Sequence, residues 1–318
     1  MYKQLELADI IAAQQRIAPH IIRTPLHHYL TLDQIFDAEV HVKHENHQRL
    51  GAFKMRGGVN FFSQLSETDR KRGVVGSSTG NHGQSMAYAG NIFGVKTVIV
   101  VPEDANPGKV ESMRLLGGTV VFHGQNFDEA RTQVEVLARE EGYVYLHSAN
   151  EPKLVAGVGT YALEIMEDLP DVDVIIVPIG GGSGACGCCI AAKSIRPDVQ
   201  VIGVSAEKAP AAYLSWKEQQ PVQAPMNTMA EGLATGIGFE LTQSILSDML
   251  DDYVLVSEEE MESAVRTHLE KTHNLTEHAG AASLAAAIKI KDQLRGKKIA
   301  LVMSGGNMSI AHLKKALI

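Results

Sequence analysis

Short apolar runs recur along the chain and alternate with stretches of helical periodicity. Val74-Val75-Gly76, Thr97 to Val101, Val120 to Phe122, Val172 to Ile179, Val201 to Val204 and Ile299 to Met303 predict strands. Small residues from about Gln84 to Gly90, and the segment near Lys109 to Leu116, predict helices. Ser257 with Glu260 three positions later is a capping box that opens a helix toward Lys271. The alanine-rich stretch Ala279 to Ala287 predicts a buried helix. A proline-rich patch from Pro210 to Pro225 predicts a loop, with Trp216 in it as a packing residue. Strand–helix alternation at this spacing predicts βαβ units and mostly parallel sheets.

The chain has 318 residues, enough for two packed lobes. With 45% hydrophobic and 21% charged residues it is not a disordered chain. No apolar run approaches the ~18–20 residues of a membrane helix. The first residues lack the layout of a signal peptide. A net charge of −8 and the absence of a Lys/Arg block argue against a nucleic-acid partner. A cytoplasmic protein with no membrane association is expected.

Two residue groups invite chemistry and are read as structural. Cys186, Cys188 and Cys189 lack the spacing of a zinc knuckle and form no disulfide framework, so they are expected to be small core residues. His41, His44 and His47 recur every third residue, a period that does not align side chains on one strand face. They are expected to be surface or packing residues, and no metal site is expected.

The chemistry gathers in loops that follow apolar runs, where open parallel sheets bind ligands. Gly180-Gly181-Gly182-Ser183-Gly184 follows Val174 to Val177. Successive glycines let backbone N–H groups converge on an anion, and the helix start adds its dipole. The loop is either a phosphate cradle or a plain turn. It has neither the Gly-Lys-Ser/Thr of a P-loop nor dinucleotide-fingerprint spacing. Gly76 to Gln84, containing Ser78-Thr79-Gly80-Asn81-His82, suits a carboxylate or a ring oxygen, or is an ordinary N-cap cluster. Lys54, between Phe53 and Met55 and near three glycines, is either a desolvated amine suited to Schiff-base chemistry or a surface charge. Ser304-Gly305-Gly306-Asn307 places a hydroxyl at the end of a strand.

Taken in order, these segments resemble the threonine dehydratase and serine racemase family of pyridoxal-phosphate enzymes, of the tryptophan-synthase-β type. The resemblance rests on Lys43-x-Glu45-Asn46, Ala52-Phe53-Lys54-x-Arg56-Gly57, Ser78 to Gly83, Ala156-Gly157-x-Gly159-Thr160, Gly180 to Gly184, Glu277-x-Ala279-Gly280 and Ser304 to Asn307. It spans essentially the whole chain.

The resemblance implies an α/β fold of two lobes, each a mostly parallel sheet flanked by helices, with the cofactor between them. Residues 50–147 would form a small domain inserted into a large one made of 1–49 and 148–318. Lys54 would carry pyridoxal 5'-phosphate on its amine and act as the base at the substrate Cα. Asn81 would bond the ring oxygen, and Phe53 and Gly232 would border the ring. The amides of Gly180, Gly181, Gly182, Ser183 and Gly184 would hold the phosphate, Ser304 would face the pyridine nitrogen, and Glu277 would lie near the ring. Ser78, Thr79, Asn81 and His82 would grip the substrate carboxylate, with Thr79 a second catalytic candidate. The implied activity is β-elimination from a small β-hydroxy amino acid, most simply L-threonine or L-serine, by a homodimer. An amino-acid racemase is the alternative, as is a dehydratase for phenylserine or hydroxyaspartate. A silent, binding-only relative would dispense with Lys54 and Ser304, which are both present.

Several positions depart from the family pattern. Ala52 stands for the usual serine, Ser183 interrupts a four-glycine loop, Val158 replaces a glutamine and His278 a proline. Thr79 falls where the racemase has serine and typical dehydratases have alanine. In metal-activated racemases of this family, acidic residues bind an ion near the segment that here runs Glu207 to Tyr213. Glu207 matches one of them, but Tyr213 takes the second acidic position. Only a short segment follows Ser304, and no end-product feedback is expected.

Overall fold

The structure, a computed structural model, describes residues 5–125 and 127–318. Ten strands occur among them: β1 (Leu26–His28), β2 (Glu39–His44), β3 (Val74–Ser77), β4 (Thr97–Val101), β5 (Thr119–Phe122), β6 (Val144–Tyr145), β7 (Val174–Pro178), β8 (Gln200–Ala206), β9 (Asp252–Val256) and β10 (Lys298–Met303). They form two sheets, ordered β1-β2-β10-β7-β8-β9 and β5-β4-β3-β6. Only β1 against β2 is antiparallel. The expected α/β class with mostly parallel sheets is what the chain adopts. The chain leaves the larger sheet after β2, builds the smaller one from residues 74 to 145, and returns at β7.

The larger sheet is covered on both faces, as its near-continuous apolar strands require. Val174 and Ile176 pack on one side with Leu301, while Ile175 and Val177 pack on the other with Ala300 and Val302. The helix His278–Lys289 covers the first face, and the helices Pro152–Asp168 and Ser183–Ile195 cover the second. Two glycines let those last helices touch. A Cβ on Gly187 would lie 2.6 Å from Gly159 Cα. The Gly157-x-Gly159 segment therefore serves helix packing, and it brings the helix Lys54–Ser63 close as well: a Cβ on Gly157 would sit 2.6 Å from Arg56 O.

Local expectations are met at the capping box, where Ser257 and Glu260 bond reciprocally ahead of the helix Glu258–Thr272. The three cysteines are buried and free on the helix Ser183–Ile195, and burial pushes the Cys188 thiol up to about 12. The proline-rich patch differs from its expected loop. Ala211–Glu218 is a helix starting directly after Pro210, because its alanines, leucine and lysine favour helix and a proline ahead of them costs nothing. Trp216 on it packs against the Tyr253 ring at 5.6 Å.

The histidines occupy separate roles. His41 bonds Glu39 at 2.9 Å, His44 bonds the Tyr29 hydroxyl at 2.9 Å, and His47 bonds Asn274 at 2.7 Å. His44 and His47 nonetheless stack at 4.8 Å, because a 3-10 turn at Glu45–His47 follows the strand and resets the side-chain period.

Candidate active site

Four loops at the carboxyl ends of strands converge. The turn after β3 leads into the helix Asn81–Ile92, and the glycine loop after β7 leads into Ser183–Ile195. Ser304 to Asn307 follow β10. The segment after β2 joins them through a bridge between Ala52 and Gly305 and a bond from Phe53 N to Ser304 O at 3.1 Å. That bridge sets the position of Lys54, the first residue of its helix.

The Lys54 ammonium donates to the Ser183 hydroxyl at 3.1 Å and lies 4.8 Å over the Phe53 ring. Ser85 holds the Lys54 carbonyl at 2.8 Å. Some of the lysine side chain meets solvent, yet the surroundings of its nitrogen desolvate it and lower its pKa to about 8. Roughly a tenth of the amine is then neutral at pH 7, against less than about one in a thousand for an ordinary lysine.

The glycine loop is shaped by close approach. A Cβ on Gly180 would stand 2.2 Å from Gly232 O, so only glycine lets the segment at Glu231–Leu233 lie against it. Gly182 has φ +93, which favours glycine. Thr242 holds the Gly181 carbonyl at 2.8 Å and Tyr161 holds the Gly184 carbonyl at 2.9 Å, turning both away from the cradle. No side chain caps the helix at Ser183, which leaves its first N–H groups and dipole for an anion. Ser304, 6% exposed, directly follows β10 at the same edge. An anion cradle, a desolvated amine and a hydroxyl at the end of a strand together fit a phosphorylated pyridine aldehyde.

Asn81 lies between two partners. Its amide donates to Glu277 at 2.7 Å, and its carbonyl accepts from Asn307 at 2.8 Å. Burial lifts the Glu277 carboxyl to about 7, against the pull of Lys109 and Asn81. Ser78 accepts from Gly80 N at 3.2 Å. His82 is buried with Nε2 unpartnered among the described residues, and burial, then Lys54 and His147, lower its pKa to about 3, so it is neutral at pH 7. Thr79 is partly exposed at the same turn. The candidate site residues therefore lie on the converging segments or on the Glu231–Leu233 turn against them, except Glu277, which comes from the turn ahead of the helix His278–Lys289 and reaches Asn81.

Other residues there had no role assigned from the sequence. Asn307 ties the last loop to Asn81 and to Leu50 O at 2.7 Å. Lys109, from the smaller sheet's part of the chain, pairs with Glu231 beside Gly80. Beneath Lys54 lies a buried network: Arg56 bonds Glu45 at 2.8 Å and Glu164 at 2.7 Å, and Lys43 bonds Glu164 at 2.6 Å. All four residues are at most 2% exposed, and their formal charges cancel. Burial opposes ionisation of Glu164, but Arg56 and Lys43 outweigh it and hold its carboxyl below the usual range.

The family model for pyridoxal-phosphate-dependent enzymes matches residues 17–305. An L-threonine ammonia-lyase of Thermotoga maritima is 40% identical over 314 residues, covering 98% of this chain and 78% of that protein. Among solved structures, threonine deaminase isoform 2 of Solanum lycopersicum superposes with TM-score 0.93 at 31% identity, covering 98% of this chain and 91% of that one. Maize serine racemase superposes equally, with TM-score 0.93 at 30% identity, covering 99% and 97%. A match of that extent makes the chain a member of the pyridoxal-phosphate-dependent enzyme family, with pyridoxal phosphate as its cofactor.

Proposed function

We propose that this enzyme is an ammonia-lyase that converts L-threonine or L-serine to a 2-oxo acid and ammonia. The observation that carries the reading is the desolvated Lys54 amine, 3.1 Å from Ser183 at the head of an anion cradle. Full-length similarity to an L-threonine ammonia-lyase supports the substrate. The test is 2-oxo acid release from a panel of L- and D-β-hydroxy amino acids, including phenylserine and hydroxyaspartate. No release from L-threonine or L-serine by the cofactor-loaded enzyme refutes the assignment.

Bound pyridoxal phosphate supplies the electron sink that stabilises negative charge at the substrate Cα. In the proposed division of labour the N–H groups of Gly180 to Gly184 hold the phosphate, and Ser304 offers the ring nitrogen a neutral partner. Phe53 and Gly232 border the ring. Asn81, kept in place by Glu277 and Asn307, presents its amide to the ring oxygen. Ser78, Thr79, Asn81 and His82 receive the substrate carboxylate. Lys54, its pKa lowered by burial, takes the Cα proton. The β-hydroxyl departs as water, and the resulting enamine hydrolyses to 2-oxo acid and ammonia. Residues 50–147 form the smaller lobe in this reading, and the enzyme is a cytoplasmic homodimer.

Thr79 separates this reading from a racemase, which the maize neighbour keeps in view. A racemase must deliver a proton to the face opposite Lys54, and Thr79 offers a hydroxyl on the substrate loop. Thr79→Ala should leave L-threonine dehydration within about threefold and cut any D-directed reaction at least tenfold, roughly the low end of an acid–base contribution. Chiral chromatography and oxo-acid assays measure the two. Loss of L-threonine turnover at unchanged KM would instead make Thr79 catalytic for elimination.

Divalent cations should activate little. The Glu207 carboxylate pairs with Lys289 at 3.1 Å, and the Tyr213 ring packs against Tyr253 at 5.5 Å. Mg²⁺ and Ca²⁺ favour charged and carbonyl oxygens, which a neutral phenol does not provide. Activity and thermal midpoint in EDTA and in millimolar Mg²⁺ or Ca²⁺ should agree. Several-fold activation would contradict this.

A further inference from the structure

Ser183 departs from the four-glycine loop of the family pattern, and its side chain carries that departure into the site. It is the first residue of the helix Ser183–Ile195 and is 2% exposed. A hydroxyl there has two partners to choose between, an anion in the cradle and the lysine amine. In the structure its oxygen accepts from the Lys54 ammonium at 3.1 Å.

Packing on both sides sets that distance. A Cβ on Gly184 would stand 3.1 Å from the Phe53 ring, so the helix start lies close against the residue preceding Lys54. The Phe53 ring meets Tyr161 edge-on at 5.9 Å, and the Tyr161 hydroxyl holds the Gly184 carbonyl at 2.9 Å. From the other side, Ser85 holds the Lys54 carbonyl at 2.8 Å. A Cβ on Gly58 would fall 2.2 Å from the Ser85 hydroxyl oxygen, so glycine there lets the helices Lys54–Ser63 and Asn81–Ile92 close on each other. Lys54 and Ser183 are thus presented by backbone that is held in place, unlike two surface side chains that meet by chance.

The charge on Lys54 has little other support. Burial lowers its pKa, and among the described residues no carboxylate pairs with it. His82, on the helix Asn81–Ile92, feels the amine, but burial keeps that imidazole neutral at pH 7. The face of the Phe53 ring, 4.8 Å away, adds a weak attraction for a cation. A hydroxyl has two lone pairs and one proton. It accepts from an ammonium and donates to a neutral amine, and the charge-assisted bond is the stronger of the two.

We propose that Ser183 is a positioning residue for Lys54: its hydroxyl keeps the free amine at the head of the cradle and stabilises the ammonium that forms when Lys54 takes a proton. The glycine of the family pattern provides neither. This role rests on reading Lys54 as the base at the substrate Cα.

S183A removes the oxygen, S183G also restores the family loop, and both keep the backbone N–H. S183T keeps a hydroxyl. The first readout uses the full-length, cofactor-loaded enzyme with the best substrate from the panel above. Activity requires neutral Lys54, so the acid limb of the pH–kcat profile follows its pKa. Losing a bond that favours the charged form lowers that pKa. The limb should move about 0.5–1 pH unit toward acid in S183A and S183G and stay in place in S183T. Plateau kcat should fall about three- to tenfold in the first two, with KM within about twofold. The second readout needs no turnover. It is carbon-13 titration of lysine Cε in lysine-labelled, cofactor-free enzyme, with Lys54→Ala identifying the resonance. The Lys54 midpoint should fall by the same amount in S183A and S183G. An unmoved limb and midpoint in both variants, or an equal shift in S183T, overturns the proposal. So does faster loss of cofactor on dialysis with Lys54 titrating as in the parent, because the hydroxyl then serves the anion alone. Should S183A fail to fold, S183G against S183T decides. If no amino acid of the panel is turned over, the proposed activity fails and the Cε titration decides the role of Ser183.

Discussion

Lys54→Ala should lower kcat/KM for L-threonine at least ~10³-fold, within the range of a lost general base and nucleophilic amine. The nearest alternative amine would have to reach the space where Lys54 meets Ser183 at 3.1 Å. Of the other site residues, His82 is neutral and Asn81 is engaged by Glu277 and Asn307. The variant should still bind the cofactor through the glycine cradle, now without a covalent tie, so dialysis should strip it far faster than from the parent. Oxo-acid assay and cofactor retention measure the two effects. Turnover within tenfold of the parent, without added amine, would remove Lys54 from the chemistry.

Arg56→Met should destabilise the fold by roughly 3–5 kcal/mol, the cost of leaving buried charges without their partner. Arg56 is fully buried between Glu45 and Glu164, and Lys43 alone cannot neutralise both carboxylates. The loss should appear as a lower urea midpoint at unchanged slope. Adding Glu45→Gln alone to Arg56→Met should recover part of it, since the buried pair that remains, Lys43 with Glu164, is then neutral. A urea midpoint in Arg56→Met equal to the parent's would show that water or a shifted lysine replaces the guanidinium. Activity should fall too, because the same helix that carries Arg56 begins at Lys54.

Much of this site was legible because its chemistry is carried by contiguous segments. A glycine run after a strand, or a lysine between Phe53 and Met55, announces itself over a few residues, and backbone amides do the rest. The network under Lys54 was only half legible. Lys43, Glu45 and Arg56 lie in segments that carried the resemblance, but Glu164 is 108 residues from Arg56 and reads locally as one more acid on a helix. Glu231 was hidden for the same reason, and Asn307, although it ends a segment that carried the resemblance, had no role assigned to it. Their partners, Asn81 and Lys109, come from a different sheet's connections. The Ala211–Glu218 helix was misread because proline spacing outweighed helix propensity in a stretch where Pro210 merely precedes the first turn. Ser183 was visible as a departure, but only three dimensions show its hydroxyl against Lys54.

The larger sheet also dictates an order of assembly. β10, the last strand in the chain, pairs with β2 on one side and β7 on the other. Until residues 298–303 have been synthesised, β2 and β7 have no partner between them, and each presents an open, apolar edge. Exposed edges of that kind recruit other strands. Lys54 is placed by the Ala52–Gly305 bridge, which the segment after β10 must deliver. The smaller sheet, built from residues 74 to 145, can therefore form before the larger one closes, and until β10 enters, the open edges of β2 and β7 leave the chain most exposed to association with others.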